Sequence, residues 1–191
     1  MPREKEFDQA EVLRKAMELF WLRGYAQTSI ADLTTHLGIG RQSLYATFGD
    51  KDSLYLAALE SYLKAVTVRI ERALAATGPI RAVMRRLLEG AAAQDCEDAR
   101  GCLCANAMIE RAPVDARARA LVRAHSRRLE ELLANRLSVA QRAGEIPAGH
   151  PVTALGRFFH GTLLGLAVSA RAFADPTELR DQIDTALRLL D

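Results

Sequence analysis

Proline and glycine are scarce in this 191-residue sequence, at 6 and 12 residues, which excludes collagen-like and low-complexity architectures. Cysteine is rarer still. Three thiols, an odd number, cannot form a disulfide framework, so the chain must be held by its core, and a reduced, cytoplasmic setting is expected. Alternating β-branched runs bounded by turn residues are missing, which excludes a sheet protein. Neither sign of charge dominates: 26 basic and 24 acidic side chains leave a net charge of +2, too small to imply any partner. The opening MPREKEF has no apolar core segment, so no secretory signal is expected. The longest apolar stretch, 152–173, is interrupted by Arg157, His160 and Arg171, which are costly in a bilayer, so no membrane span is expected. A Gly-Xaa-Ser-Xaa-Gly elbow, a P-loop and a spaced nucleophile–base pair are also absent. These absences argue against an enzyme and leave a helical cysteine- or histidine-dependent enzyme as the alternative of another class. Cys96, Cys102, Cys104 and the histidines lack the paired spacing of a zinc site, so neither metal nor cofactor is expected.

What the sequence does contain is helical. Ala, Leu, Arg and Glu abound, 49% of residues are hydrophobic and 26% charged. The first predicted helix runs from Asp8, a capping residue, to Arg23, with Val12, Leu13, Ala16, Leu19 and Phe20 on one stripe and Gly24 as its stop. Ser29 and Asp32 stand at capping-box spacing before a short second helix that Gly38 ends. A third short helix spans Arg41 to Phe48. Asp50 caps a long fourth, predicted over 51–77, and Gly78-Pro79 is the clearest boundary. Further helices are predicted at about 80–94, 102–110, 115–143, 151–173 and 176–190, several opening at prolines. The acidic segment 94–101 is predicted as a loop.

Two short helices joined by a tight turn are what a DNA reader needs: one braces on the backbone while the next enters the major groove. Ile30, Leu33 and Leu37 give the first an inward face, Gly38-Ile39-Gly40 makes the turn, and Leu44 and Phe48 hold the second from behind. Arg41, Gln42, Ser43, Tyr45 and Thr47 are left facing outward. Arg suits guanine, Gln suits adenine, and hydroxyls serve bases or phosphates. Lys51 falls in the first turn of the next helix, where free N–H groups already favour a phosphate. Thr28 and Ser29, at the entry to the pair, complete the candidate DNA-contacting set. Through Lys51 basic and acidic residues balance, so contact depends on where the charges lie and not on their sum.

The run Gly24-Tyr25, Thr28-Ser29-Ile30-Ala31-Asp32-Leu33, Leu37-Gly38-Ile39, Ser43-Leu44-Tyr45, Phe48 and Lys51-Asp52-Ser53-Leu54 resembles the TetR-type repressors. The resemblance implies an all-α fold: an N-terminal three-helix helix-turn-helix domain, residues 1–50, plus a C-terminal helical effector-binding and dimerisation domain, residues 51–191. It implies a ligand-responsive repressor that binds a palindromic double-stranded DNA operator as a homodimer and is released by a small-molecule effector. Gly40 stands where the family more often has Ser or Thr, which weakens the cap of the recognition helix, and Ala46-Thr47 replaces a commoner bulky pair.

The family resemblance places an effector pocket among the middle helices. Residues combining apolar bulk with a polar tip are the candidates for its lining: Tyr62, Met84, Cys104, Met108, His125, Phe158 and His160. The cysteines open a second reading, a thiol-based redox or electrophile sensor using Cys96, Cys102 or Cys104, because a thiol near a helix N-terminus ionises more readily. Cys102, in a Gly-Cys-Leu element with Asn106, resembles a structural position of the family. The stretch 152–173 is apolar nearly all round, with Gly156, Gly161 and Gly165 spaced for close approach. With the stripe of the last helix it suggests half of an intermolecular four-helix bundle, with Phe158, Gly161, Leu164, Gly165, Leu179, Ile183 and Leu187 as candidate interface residues.

Overall fold

The computed structural model describes residues 7–93, 101–172 and 175–191; Cys96 and most of the predicted acidic loop lie outside them. Among the described residues the chain forms nine α-helices and a short 3-10 turn, with no strand. In chain order these are α1 Gln9–Arg23, α2 Ile30–Leu37, α3 Arg41–Phe48, α4 Lys51–Leu74, α5 Ile80–Ala93, α6 Leu103–Glu110, α7 Ala116–Arg142, α8 Val152–Ala172 and α9 Pro176–Leu187.

The starts are set by side chains that take up the first orphan N–H groups of each helix. Asp8 accepts from Ala10 N–H at 2.9 Å and Asp50 from Ser53 N–H at 2.6 Å. Asp115 and Asp175 cap α7 and α9 in the same way. The capping box of α2 forms as its spacing predicts: Ser29 Oγ accepts from Asp32 N–H at 3.0 Å, and Asp32 accepts from Ser29 N–H at 2.8 Å. Gly38 ends α2 at φ +67° in the left-handed region, a conformation that favours glycine. Gly40 opens α3 with no side-chain cap.

Two clusters of buried side chains hold these helices together. The first joins α1, α2, α3 and the front half of α4, and draws in Leu103, Cys104 and Ala107 of α6 and Val122 of α7. The second joins the end of α4 to α5, α7, α8 and α9. Helices α7 and α8 make the most extensive contact of the fold. Gly156 permits it: a Cβ there would stand 2.8 Å from the Glu130 carbonyl oxygen and 3.0 Å from Ala134.

Helix α8 is long and apolar enough to cross a membrane by length and composition alone. In the subunit one face, carrying Leu155, Phe159, Leu163 and Leu166, is packed into the core, while Phe158, Gly161, Gly165 and Val168 are open. The sequence predicts burial all round; the fold of this chain buries one face of α8 and leaves the other open. Leu179, Ile183 and Leu187 of α9 are buried in their own subunit's core against α5 and α8. This corrects their candidacy as interface residues, because side chains enclosed within the subunit present no surface to a second copy.

Candidate nucleic-acid interface and effector cavity

The α2–α3 pair is set by Leu33, Leu37 and Leu44, all buried among α1 and α4. Leu44 is fully enclosed, worth about 1.5–3 kcal/mol of apolar burial. That single anchor turns the opposite face of α3 to solvent, where Arg41, Gln42, Ser43 and Tyr45 are all exposed. The Arg41 guanidinium lies 5.5 Å from the Tyr45 ring centre and 3.4 Å from its hydroxyl, so the two side chains stand together on the open surface. Thr47 is half-buried at the edge of this face.

Thr28 does not belong to that surface. It is 0% exposed and its hydroxyl donates to the Gly24 carbonyl at 2.7 Å, so its role is to close the α1–α2 turn. Ser29 is exposed, but its hydroxyl is engaged twice by Asp32, in the cap and as a donor at 2.6 Å. Its side chain therefore has less to offer a phosphate than its position suggests.

Lys51 lies in the first turn of α4, its ammonium 4.0 Å from the centre of the Tyr25 ring. Burial pulls its pKa below the ordinary lysine value, with Glu110 and Asp52 opposing. The Arg111 guanidinium covers the same ring, also at 4.0 Å, so Tyr25 sits among two cations. Its phenol donates to Asp52, to which Arg111 also reaches at 3.0 Å. Burial and then the Asp52 hydrogen bond push the Tyr25 phenol up to about 12.

Arg111 follows directly on α6, and Glu110 ends that helix. Glu110 accepts the backbone N–H of Tyr25 at 2.9 Å and of Ala26 at 2.6 Å. Gly24, at φ +81°, has the Glu110 carboxylate against it: a Cβ would lie 3.2 Å from Oε2. At the other end of α6, Gly101 O accepts the Trp21 indole N–H at 2.8 Å. The α1–α2 turn and the back of α1 are thus tied to one short helix.

The front of α6 borders a cavity of about 130 Å³. Tyr62, Cys104, His125 and His160 line it, as the sequence suggests, together with Cys102. Three other candidates lie elsewhere. Met84 is fully buried in the second core, Met108 packs against the first, and Phe158 is 45% exposed on the outer face of α8. Their mixed apolar and polar character gives no sign of which face they occupy. The walls that sequence reading misses are plain aliphatics, Val66, Ile70, Leu129 and Leu163 among them, with Arg69 and Arg86 at the rim in solvent. Side chains of this kind carry no signal apart from the fold that gathers them.

The two described thiols differ. Cys104 is buried, and burial raises its pKa above the ordinary thiol value, which opposes the readier ionisation expected from its place on α6. Cys102 is half-buried at the helix start and accepts the Tyr62 hydroxyl at 3.6 Å. Among the described residues no group of three or more His, Cys, Asp or Glu could hold a metal ion.

Comparison with known proteins agrees with this architecture. Residues 12–58 match the bacterial regulatory proteins, tetR family, and residues 76–186 match the tetracyclin repressor-like C-terminal domain. The chain is 38% identical to the uncharacterized HTH-type transcriptional regulator YezE of Bacillus subtilis, over the full length of both. It is 32% identical to the HTH-type transcriptional repressor ComR of Escherichia coli, over 98% of this chain and 90% of that one. Among solved structures it is similar to a cysteine mutant of the TetR family transcriptional regulator CifR, complexed with 26-bp double-strand operator DNA. There the TM-score is 0.86 at 30% identity, with both chains covered completely.

Proposed function

The chain belongs to the TetR family of helix-turn-helix transcriptional regulators, and from that premise we propose that it is a ligand-responsive cytoplasmic repressor acting as a homodimer on a palindromic operator. The observation that carries this is the exposed Arg41–Gln42–Ser43–Tyr45 face of α3, standing opposite the buried Leu44. In this reading residues 1–50 form the reader. Arg41, Gln42 and Ser43 meet base edges, Tyr45 and Thr47 meet base or phosphate, and Lys51 meets phosphate. Two copies, joined through the open face of α8, present their α3 helices to successive major grooves. Phe158, Gly161, Leu164 and Gly165 form that joint, with residues 51–191 serving as effector-binding and dimerisation unit.

Release follows from the position of α6. Its start borders the cavity and its end grips the turn before α2. A molecule filling the cavity in only one of two α6 positions biases the reader toward that position, and its leverage equals its difference in affinity for the two. The thiol-sensing alternative, on the described residues, rests on Cys102, the half-buried thiol on the cavity wall.

Fluorescence anisotropy with duplexes from the region upstream of the protein's own gene tests this reading. Saturable, salt-sensitive binding to one palindromic duplex is expected. Equal affinity for unrelated duplexes of the same length would overturn it.

A further inference from the structure

The cavity beside α6 has an unusual distribution of hydrogen-bond donors. The Tyr62 hydroxyl is used on Cys102 Sγ at 3.6 Å. Thr67 donates its own hydroxyl hydrogen to the Leu63 carbonyl at 2.9 Å, so at 3.2 Å from His125 Nδ1 it must accept. The His125 proton therefore sits on Nδ1, leaving Nε2 with a bare lone pair. His160 repeats the arrangement. Its Nδ1 edge faces the Glu130 carboxylate at 3.8 Å, which favours the proton on that nitrogen. Its Nε2, on the opposite edge of the ring, has no hydrogen-bond partner although the residue is 6% exposed. A buried polar atom left in that state is costly unless something supplies the missing bond.

We propose that the effector is an uncharged, largely apolar molecule that fills this cavity and, with a small shift of the side chains that enclose His160 Nε2, donates an O–H hydrogen to that nitrogen, phenols being the chemical class that fits best. The inference rests on reading the cavity as the effector site. Val66, Ile70, Leu129 and Leu163 offer aliphatic wall for a hydrocarbon body. An acidic O–H makes a stronger hydrogen bond to imidazole than an alcohol does, which places phenols first. A carboxylate would set its lone pairs against two more, or would require an imidazole to take up a proton. Burial opposes that uptake, holding His125 down to about 4 and His160 below its ordinary value despite Glu130. Arg69 and Arg86 at the rim are the groups that would favour an anion; both are water-exposed, and Arg86 also donates to the Thr77 carbonyl at 3.4 Å. Arg157, near Glu130 at 3.7 Å, is exposed as well.

Titration calorimetry on the full-length protein with para-butylphenol, its methyl ether and para-butylbenzoate tests the proposal. The phenol should bind about tenfold or more tightly than the ether, because the ether leaves Nε2 buried and unpaired. The benzoate should bind more weakly than the phenol at neutral pH. His160→Leu should abolish the preference for phenol over ether, and His160→Gln, which keeps an acceptor, should retain part of it. Circular dichroism checks that each variant is folded, and the three-probe comparison on the parent protein stands if one is not. Equal binding of phenol and ether, tighter binding of benzoate, no binding by any probe at millimolar concentration, or an unchanged preference in His160→Leu would each overturn it. Operator binding measured on the same preparation separates the two readings: intact DNA binding without phenol binding removes the inference and leaves the regulator.

Discussion

The Glu110 carboxylate receives the backbone N–H of Tyr25 at 2.9 Å, binding the last residue of α6 to the turn that launches the reader helices. The same carboxylate takes Ala26 N–H, and the neighbouring Arg111 lies on the Tyr25 ring. A helix of eight residues is about 12 Å long, so cavity and turn are joined by one rigid element.

Glu110→Ala should therefore loosen this joint. It leaves two backbone donors without their partner, and hydrogen bonds to a charged acceptor are worth about 1.5–3 kcal/mol each, less where water can substitute. A loss of about 1–3 kcal/mol in urea-unfolding stability is expected. The distinguishing outcome concerns signalling: the variant should still bind operator while its release by ligand is blunted. Release as complete as in the parent, at the same ligand occupancy, would show that α6 does not carry the signal.

Lys51 and Arg41 should fail differently. If Lys51 meets phosphate as proposed, Lys51→Ala removes one such contact from each copy, and affinity should fall on all duplexes alike. The slope of log K against log salt should drop by about one per subunit. If Arg41 reads a base as proposed, Arg41→Ala should cost about 1–3 kcal/mol on the operator but little on random duplex, and so relax specificity. Anisotropy titrations across a salt series, on operator and scrambled duplex, separate the two. A Lys51→Ala slope equal to the parent's would place that ammonium off the DNA and leave it only its contact with Tyr25.

The reader was the legible part of the sequence because its signals are local. Asp8, Ser29 and Asp50 announce helix starts through chemistry that acts within three residues, and each caps its helix. Thr28 was misleading because it stands beside a genuine cap: its hydroxyl turns back to Gly24, four residues away, and nothing in its neighbours reveals this. The stripe of α9 was misleading for another reason. Periodicity tells that one face is buried but not against which chain, and Leu179, Ile183 and Leu187 meet their own core. The cavity was half legible: its polar groups stand out in the sequence, while its aliphatic wall and its rim arginines do not.

Acid should weaken the subunit through its buried histidines. His125 is held down to about 4 from an ordinary 6.5, chiefly by burial and then by His160, so the folded state binds fewer protons than the unfolded one between these values. Stability then rises with pH in that window and is lost as pH falls through it, by about 2 kcal/mol for His125 between about pH 7 and about pH 5. The lowered value of His160 acts in the same direction. Urea midpoints across this range check it, and His125→Gln should flatten the slope. A midpoint independent of pH, or an unchanged slope in the variant, would mean that His125 takes up its proton without opening the core.

The three glycines of α8 should part company on substitution. Gly156→Ala drives a methyl to 2.8 Å from a backbone oxygen of α7, where no flexible side chain can yield, and overpacking of that kind costs about 1–3 kcal/mol. A Cβ at Gly161 or Gly165 meets nothing within 4 Å in the subunit, and both residues are exposed on the face that carries Phe158 and Val168. Alanine at either therefore leaves subunit packing untouched, and within a helix it gains about 0.5–1 kcal/mol of backbone entropy over glycine. Larger side chains there distinguish a free surface from a joint. If two copies meet through α8, Gly161→Leu with Gly165→Leu wedges the helices apart. Light scattering at micromolar concentration should then give a monomeric mass against a dimeric parent. Operator affinity should fall about a hundredfold or more, since the linked second half-site is lost. A double variant that stays dimeric and binds operator as tightly as the parent would move the joint off α8. The Gly156→Ala result decides only how closely α7 and α8 pack within one subunit.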